Sequence, residues 1–154
     1  MNRQDIFLDG LQAGRVVYEN AVDHNCNRFD HITHLGMLAN ASPFGLTRFL
    51  FIPPLKQQGT DEQISKRVSL AKAGKIIGSY AQTELGHGTQ VRGIETTATF
   101  DKETDEFVIN SPTLTSTKYW PDGIGFVSTH TVLMARMIID GEDHGVHAFI
   151  IQLR

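Results

Sequence analysis

Residues 80–89, Tyr-Ala-Gln-Thr-Glu-Leu-Gly-His-Gly-Thr, hold a dense set of reactive and hydrogen-bonding groups. A short apolar run, Ile76-Ile77-Gly78-Ser79, precedes them and reads as a strand. Thr83 and Thr89 offer hydroxyls, Glu84 a carboxylate and His87 an imidazole flanked by Gly86 and Gly88. Glycines let the main chain approach a ligand closely. A strand running into a polar, glycine-bearing loop can present backbone N–H groups to an anionic or heteroaromatic ligand. A plain polar turn between strands is the competing reading of any isolated Gly-x-Gly.

The longer pattern decides between them. The whole string Tyr80-Ala81-Gln82-Thr83-Glu84-Leu85-Gly86-His87-Gly88-Thr89 resembles the flavin-binding signature of the acyl-CoA oxidases, a branch of the acyl-CoA dehydrogenase superfamily. Gly59-Thr60-Asp61-Glu62-Gln63 and Ile76-Ile77-Gly78-Ser79 look like the helix start and strand that precede that signature. Arg92-Gly93-Ile94-Glu95-Thr96-Thr97-Ala98-Thr99-Phe100-Asp101 is similar to the family's R-G-L-E-T-T-A-T-Y-D. Asn110-Ser111-Pro112-Thr113 and Lys118-Tyr119-Trp120-Pro121 correspond to N-S-P-T and K-W-W-P. Residues 40–154 carry the resemblance, and the first 40 match loosely.

The resemblance implies a role for particular residues. Thr83 corresponds to the threonine that hydrogen-bonds the flavin ring of FAD, and Trp120, Asp122 and Gly123 fall on the second flavin contact. Gly86, Gly88 and Thr89 fall on the turn beside cofactor and acyl-CoA. Two positions depart from the pattern. Asp122 stands where the family has glycine, placing a side chain and a charge near an anionic cofactor, and Arg67 stands where the family has tryptophan. The implied reaction is FAD-dependent α,β-dehydrogenation of a fatty acyl-CoA, with O2 reduced to H2O2. In the family the base is a glutamate of a C-terminal domain, so no catalytic residue is assigned and Glu84 is not read as the base. His87 is expected to be exposed.

Other chemistries find less support. His24, Cys26, His31 and His34 lie close together in sequence, but neither the C-x₂₋₄-C nor the H-x₃₋₅-H spacing of zinc sites is met, and no metal is expected. No G-x-S-x-G elbow suggests a serine hydrolase. Net charge is −3, and it is unevenly distributed. Residues 1–79 carry nine Lys/Arg against seven Asp/Glu, and residues 80–154 five against ten. Neither half has the clustered cations of a nucleic-acid footprint. No apolar run approaches a membrane span. The single cysteine, Cys26, rules out an intramolecular disulfide and suits a reducing compartment. The resemblance implies a peroxisomal location, although the chain ends Ile151-Gln152-Leu153-Arg154 and not in S-K-L.

These residues need elements to hold them. Ile6, Phe7, Leu11, Val17, Ala21 and Val22 form a helical stripe interrupted by Gly10 and Gly14. A second helix is expected from Pro43 to Phe51, stopping before Pro53-Pro54. Thr60 with Gln63 reads as a capping box opening a third helix, which Gly74 ends. Beyond Ile76 the pattern turns to strands, at residues 93–100, 106–110 and 126–139, with Asp140-Gly141-Glu142-Asp143 turning the chain into a last strand, 146–153. The expected class is α+β, with helices first and then an antiparallel, barrel-like sheet. Residues 1–75 are expected to be the end of an N-terminal helical domain, and residues 76–154 an incomplete central β-domain. An incomplete sheet leaves an open edge, which favours a homodimer or pairing with a longer oxidase chain. Three functional readings stand: an oxidase flavoprotein segment, a non-catalytic remnant or interaction module of the same fold, or a ligand-binding β-domain without flavin, which suits Asp122.

Overall fold

The computed structural model describes residues 2–26 and 44–154. The expected helix start at Pro43, and His31 and His34, lie outside those residues. The described chain groups into two compact units. Of the described residues, one comprises 2–26, 44–79, 122–130 and 153–154, and the other Tyr80–Pro121 and Thr131–Gln152.

Helices dominate the first unit. Helix α1, Arg3–Asp23, opens with a reciprocal cap: the Asn2 side chain accepts from the Asp5 N–H, and the Asp5 carboxylate accepts from the Asn2 N–H. Its buried face is Gly10, Gly14, Val17, Tyr18 and Ala21. The expected stripe is therefore right at Val17 and Ala21 but wrong at its start, because Ile6 and Phe7 are exposed. The two glycines belong to the buried face instead of interrupting it. The Tyr18 hydroxyl donates to the Ala71 carbonyl at 2.6 Å, tying α1 to the end of the third helical stretch.

The second helical stretch does not stop at Pro53-Pro54. A π-helical turn, Thr47–Phe51, leads directly into α2, Ile52–Gln58, whose first turn contains both prolines. The wider turn lets the Ile52 N–H bond back to the Thr47 carbonyl. Both prolines therefore lie inside one continuous helical stretch, which passes them because the π turn replaces the ordinary i→i+4 pattern just before them. The third stretch follows the sequence closely. Thr60 and Gln63 form the capping box at 3.3 and 3.0 Å. Helix α3, Asp61–Gln63, then passes through a π turn, Ile64–Val68, into α4, Ser69–Lys72. Gly74 ends it at φ +72°, the left-handed stop that glycine allows. No described helix is long and apolar enough to cross a membrane.

Among the described residues, five strands form one sheet: β1 Gly78–Ala81, β2 Thr97–Asp101, β3 Glu106–Asn110, β4 His130–Ile139 and β5 Glu142–Gln152. Their order is β1-β4-β2-β3, with β5 also on β4. The α+β class stands, but the sheet is mixed. Strands β2 and β3 form the expected antiparallel hairpin, whereas β2 and β4 run parallel, with Thr97 opposite Arg136. The long connection between β3 and β4 permits this, since parallel neighbours need more than a tight turn. Strand β4 begins at His130, not at 126, because the Gly123 carbonyl gathers the N–H groups of Phe126, Val127 and Ser128 into a turn. The β4–β5 loop is Asp140-Gly141, at φ 55° and 82°, a two-residue turn of the kind that matches strand twist.

Two close contacts organise the first unit. The Thr47 hydroxyl accepts from the Gly78 N–H at 2.9 Å and donates to the Gly78 carbonyl at 3.1 Å. His130, buried at the start of β4, has Nε2 3.5 Å from an Arg67 guanidinium nitrogen and Nδ1 3.0 Å from the Thr129 hydroxyl. Burial, then the Arg67 charge, lowers the His130 pKa below its ordinary 6.5. The unfolded chain therefore takes up this proton first, and stability falls as pH drops below 6.5 toward the folded value. Denaturant titrations should show a shallower decline over that window in Arg67→Met than in the parent. An unchanged slope would mean that Arg67 does not act on His130.

Candidate functional site

The Tyr80–Pro121 unit holds the residues that the sequence singled out first. Residues 83–86 lie antiparallel to residues 115–119. Glu84 and Lys118 are bridge partners, and the Tyr119, Leu85 and Gly86 N–H groups donate to the Thr83, Thr117 and Thr115 carbonyls at 2.9 Å each. Two motifs more than thirty residues apart in sequence are thus paired backbone to backbone.

Glu84 is the centre of the pairing. Its side chain is fully buried and both oxygens are occupied. Oε1 accepts from the Thr96 N–H at 2.9 Å, the Thr96 hydroxyl at 2.6 Å and Lys118 Nζ at 3.1 Å. Oε2 accepts from the Glu95 N–H at 2.9 Å and faces His87 Nδ1 at 3.0 Å. Burial alone would raise this carboxyl's pKa, but the Glu95 and Thr96 donors and Lys118 outweigh it and hold the value at about 2. A carboxylate so weakly basic and so fully engaged is no general base. Lys118 is equally committed, donating also to the Gln82 and Met134 carbonyls at 3.2 and 2.7 Å.

His87 is not exposed as expected. Its ring turns inward to Glu84, with Nε2 3.6 Å from Glu95 Oε1 and 17% of its side chain accessible. Glu95 in turn accepts from the Thr113 and Thr115 hydroxyls. Reciprocal bonds between the Glu84 and His87 main chains, 3.1 Å each, close the turn. With the imidazole pointing inward, Gly86 and Gly88 lie on the exposed side with Thr89. A Cβ on Gly86 would stand 2.7 Å from Thr115 Cβ, whereas one on Gly88 would meet nothing within 4 Å.

Thr83, the expected flavin contact, is half-buried. Its carbonyl is held by Tyr119, while its hydroxyl and N–H have no hydrogen-bond partner among the described residues. Trp120 follows Tyr119 at φ 43° and is 76% exposed. The pairing of residues 83–86 with 115–119 therefore brings Thr83, Gly86 and the start of the Trp120 segment onto one scaffold. Asp122 and Gly123 belong to the other unit. Asp122 adopts φ 40° and Gly123 φ 67°, the left-handed region that favours glycine and that aspartate tolerates better than most residues. A Cβ on Gly123 would stand 2.9 Å from the Ser128 hydroxyl oxygen. No group of three or more His, Cys, Asp or Glu among the described residues could hold a metal ion.

Sequence reasoning missed the Glu84 network. Its donors lie 3, 11, 12 and 34 residues away, without a periodic signal. The one local hint was a glutamate followed at i+3 by a histidine within a tight glycine turn.

The family model described as acyl-coenzyme A oxidase N-terminal matches residues 1–77. Peroxisomal acyl-coenzyme A oxidase 1 of Arabidopsis thaliana is 61% identical over 154 residues, covering 100% of this chain and 23% of its own length. The structure of an acyl-CoA oxidase from tomato, Lycopersicon esculentum, superposes with a TM-score of 0.93 at 47% identity, over 100% of this chain and 24% of that one. Acyl-CoA oxidase-2 of Caenorhabditis elegans, solved with FAD, ascaroside-CoA and ATP, gives 0.89 at 35% identity, again over 100% and 24%. The chain spans about a quarter of the length of these relatives. It belongs to the acyl-coenzyme A oxidase family.

Proposed function

We propose that this chain supplies one wall of the flavin and acyl-CoA site of a peroxisomal acyl-CoA oxidase, with Thr83 and Trp120 toward FAD and Gly86, Gly88 and Thr89 toward the acyl-CoA. Residues 1–75 are then the end of the N-terminal helical domain, and residues 76–154 part of the central β-domain. The reaction is α,β-dehydrogenation of a fatty acyl-CoA to the trans-2-enoyl-CoA, with O2 reduced to H2O2. When bound, FAD supplies the hydride acceptor that dioxygen reoxidises.

The observation that carries this reading is the unengaged Thr83 hydroxyl and N–H, on a segment whose carbonyl is already tied to Tyr119. Two donors on a fixed backbone suit the edge of a heteroaromatic ring, which presents acceptors in one plane. Exposed Trp120 offers the apolar face that such a ring seeks. Thr83 and Trp120 therefore fit the group, whereas Asp122 brings a carboxylate where the resemblance has glycine beside an anionic cofactor. The FAD and the CoA ester bound to the Caenorhabditis elegans relative support the same ligand classes. Glu84 takes no part in proton removal, for the reasons of geometry given above.

Titrating the chain with FAD and following the flavin absorption band tests the proposal. The parent should perturb the band saturably. Thr83→Ala should bind about tenfold more weakly, the loss expected when one hydrogen bond of about 1.4 kcal/mol is removed. A parent chain that leaves the spectrum of free FAD unchanged would refute it.

A further inference from the structure

We infer that Glu84 is a positioning residue: its buried carboxylate fixes the register in which residues 83–86 lie along residues 115–119, and so sets where the Thr83 hydroxyl stands. The functional part of this inference rests on the flavin reading above.

Three backbone hydrogen bonds and one bridge make the pairing very short. Register in so short a pair is weakly specified by backbone alone, and a slip of one residue turns every side chain to the opposite face. Such a slip would take the Glu84 carboxylate out of the cluster and replace it with Thr83 or Leu85. Lys118 Nζ, the Thr96 hydroxyl and the Glu95 and Thr96 N–H groups would all lose an ionic acceptor. The carboxylate thus penalises every register but one. Side chains alternate along an extended segment, so an inward Glu84 obliges Thr83, the residue before it, to face the other way. His87 extends the same hold to the glycine turn, since its Nδ1 is anchored on the second oxygen.

Amide hydrogen exchange separates positioning from mere stability. In Glu84→Gln, the Leu85, Gly86 and Tyr119 amides should exchange at least tenfold faster, with those of the β2–β3 hairpin unchanged. Glu84→Gln/Lys118→Met removes the unbalanced cation, so its thermal midpoint should recover toward the parent while those three amides stay fast. FAD affinity should fall in both variants along with the exchange protection. Parent-like protection at the three amides in either variant would overturn the inference. Should Glu84→Gln not fold, the double variant and Glu84→Asp carry the test, and Glu84→Asp should be intermediate in exchange. A parent that binds no FAD would remove the flavin reading yet leave the exchange result to decide the register claim by itself.

Discussion

Gly78→Val is expected to abolish the folded state of the helical unit, and Gly78→Ala to cost about 4 kcal/mol, beyond the usual 1–3 kcal/mol for overpacking. A Cβ on Gly78 would stand 2.1 Å from Phe51 Cγ and 2.4 Å from both Cδ atoms. Phe51 is completely buried, so its ring has no open space to enter. Gly78 itself is pinned, because the Thr47 hydroxyl holds both its N–H and its carbonyl. Relief therefore means breaking two hydrogen bonds or displacing a core aromatic ring. Against a total stability of about 5–15 kcal/mol for a domain, the valine, with two further methyl groups, exceeds what the fold tolerates. Gly88→Ala is the control. Its Cβ meets nothing within 4 Å, and stability should change by less than about 1 kcal/mol. Chemical denaturation of the three variants checks the ranking, and equal midpoints for the two alanine variants would contradict it.

Lys118→Met should be the second most damaging single change, destabilising by about 3–5 kcal/mol at neutral pH. Burial lowers the Lys118 pKa by more than its pairing with Glu84 raises it, so forming this buried pair gains little. Breaking it is another matter, because the Glu84 carboxylate would stay buried without its cation and two carbonyls would lose a donor. The pH dependence follows from Glu84. Its folded pKa of about 2 lies below the ordinary 4.5, so its contribution is complete above pH 4.5 and is lost as pH falls from 4.5 toward 2. Without Lys118 the folded pKa rises and less remains to be lost. The gap between parent and Lys118→Met should therefore narrow as pH drops below 4.5. A gap independent of pH would place the damage in packing and not in charge.

The features that the sequence disclosed are those decided locally. Thr60 and Gln63 cap a helix because both partners lie within one turn, and Gly74 stops it at φ +72° because few other residues adopt that conformation. Asp140-Gly141 turns β4 into β5 for the same kind of reason. Pro53-Pro54 misled because the preceding π turn, from which the helix runs on through both prolines, has no sequence mark that proline rules would detect. The exposure of Ile6 and Phe7 was equally hidden, since a helical stripe gives a period and not the identity of its packed face. Parallel pairing of β2 with β4 depends on a long connection, and periodicity does not register it. Within the candidate site, Thr83, Gly86 and Trp120 were legible through motif resemblance. Their common scaffold was not, because Glu84, Thr96 and Lys118 meet only once the chain has folded. His87 was misjudged on its glycine neighbours, which are exposed while its ring faces inward.

Mapping amide chemical shifts of the isotope-labelled chain during an FAD titration tests the central claim most directly. Saturable shifts should be largest at Thr83 and Trp120, extend to Gly86 and Gly88, and spare β3 at Glu106–Asn110. Shifts centred on β3, or no shifts at saturating FAD, would contradict the assignment of residues 80–121 as a flavin wall.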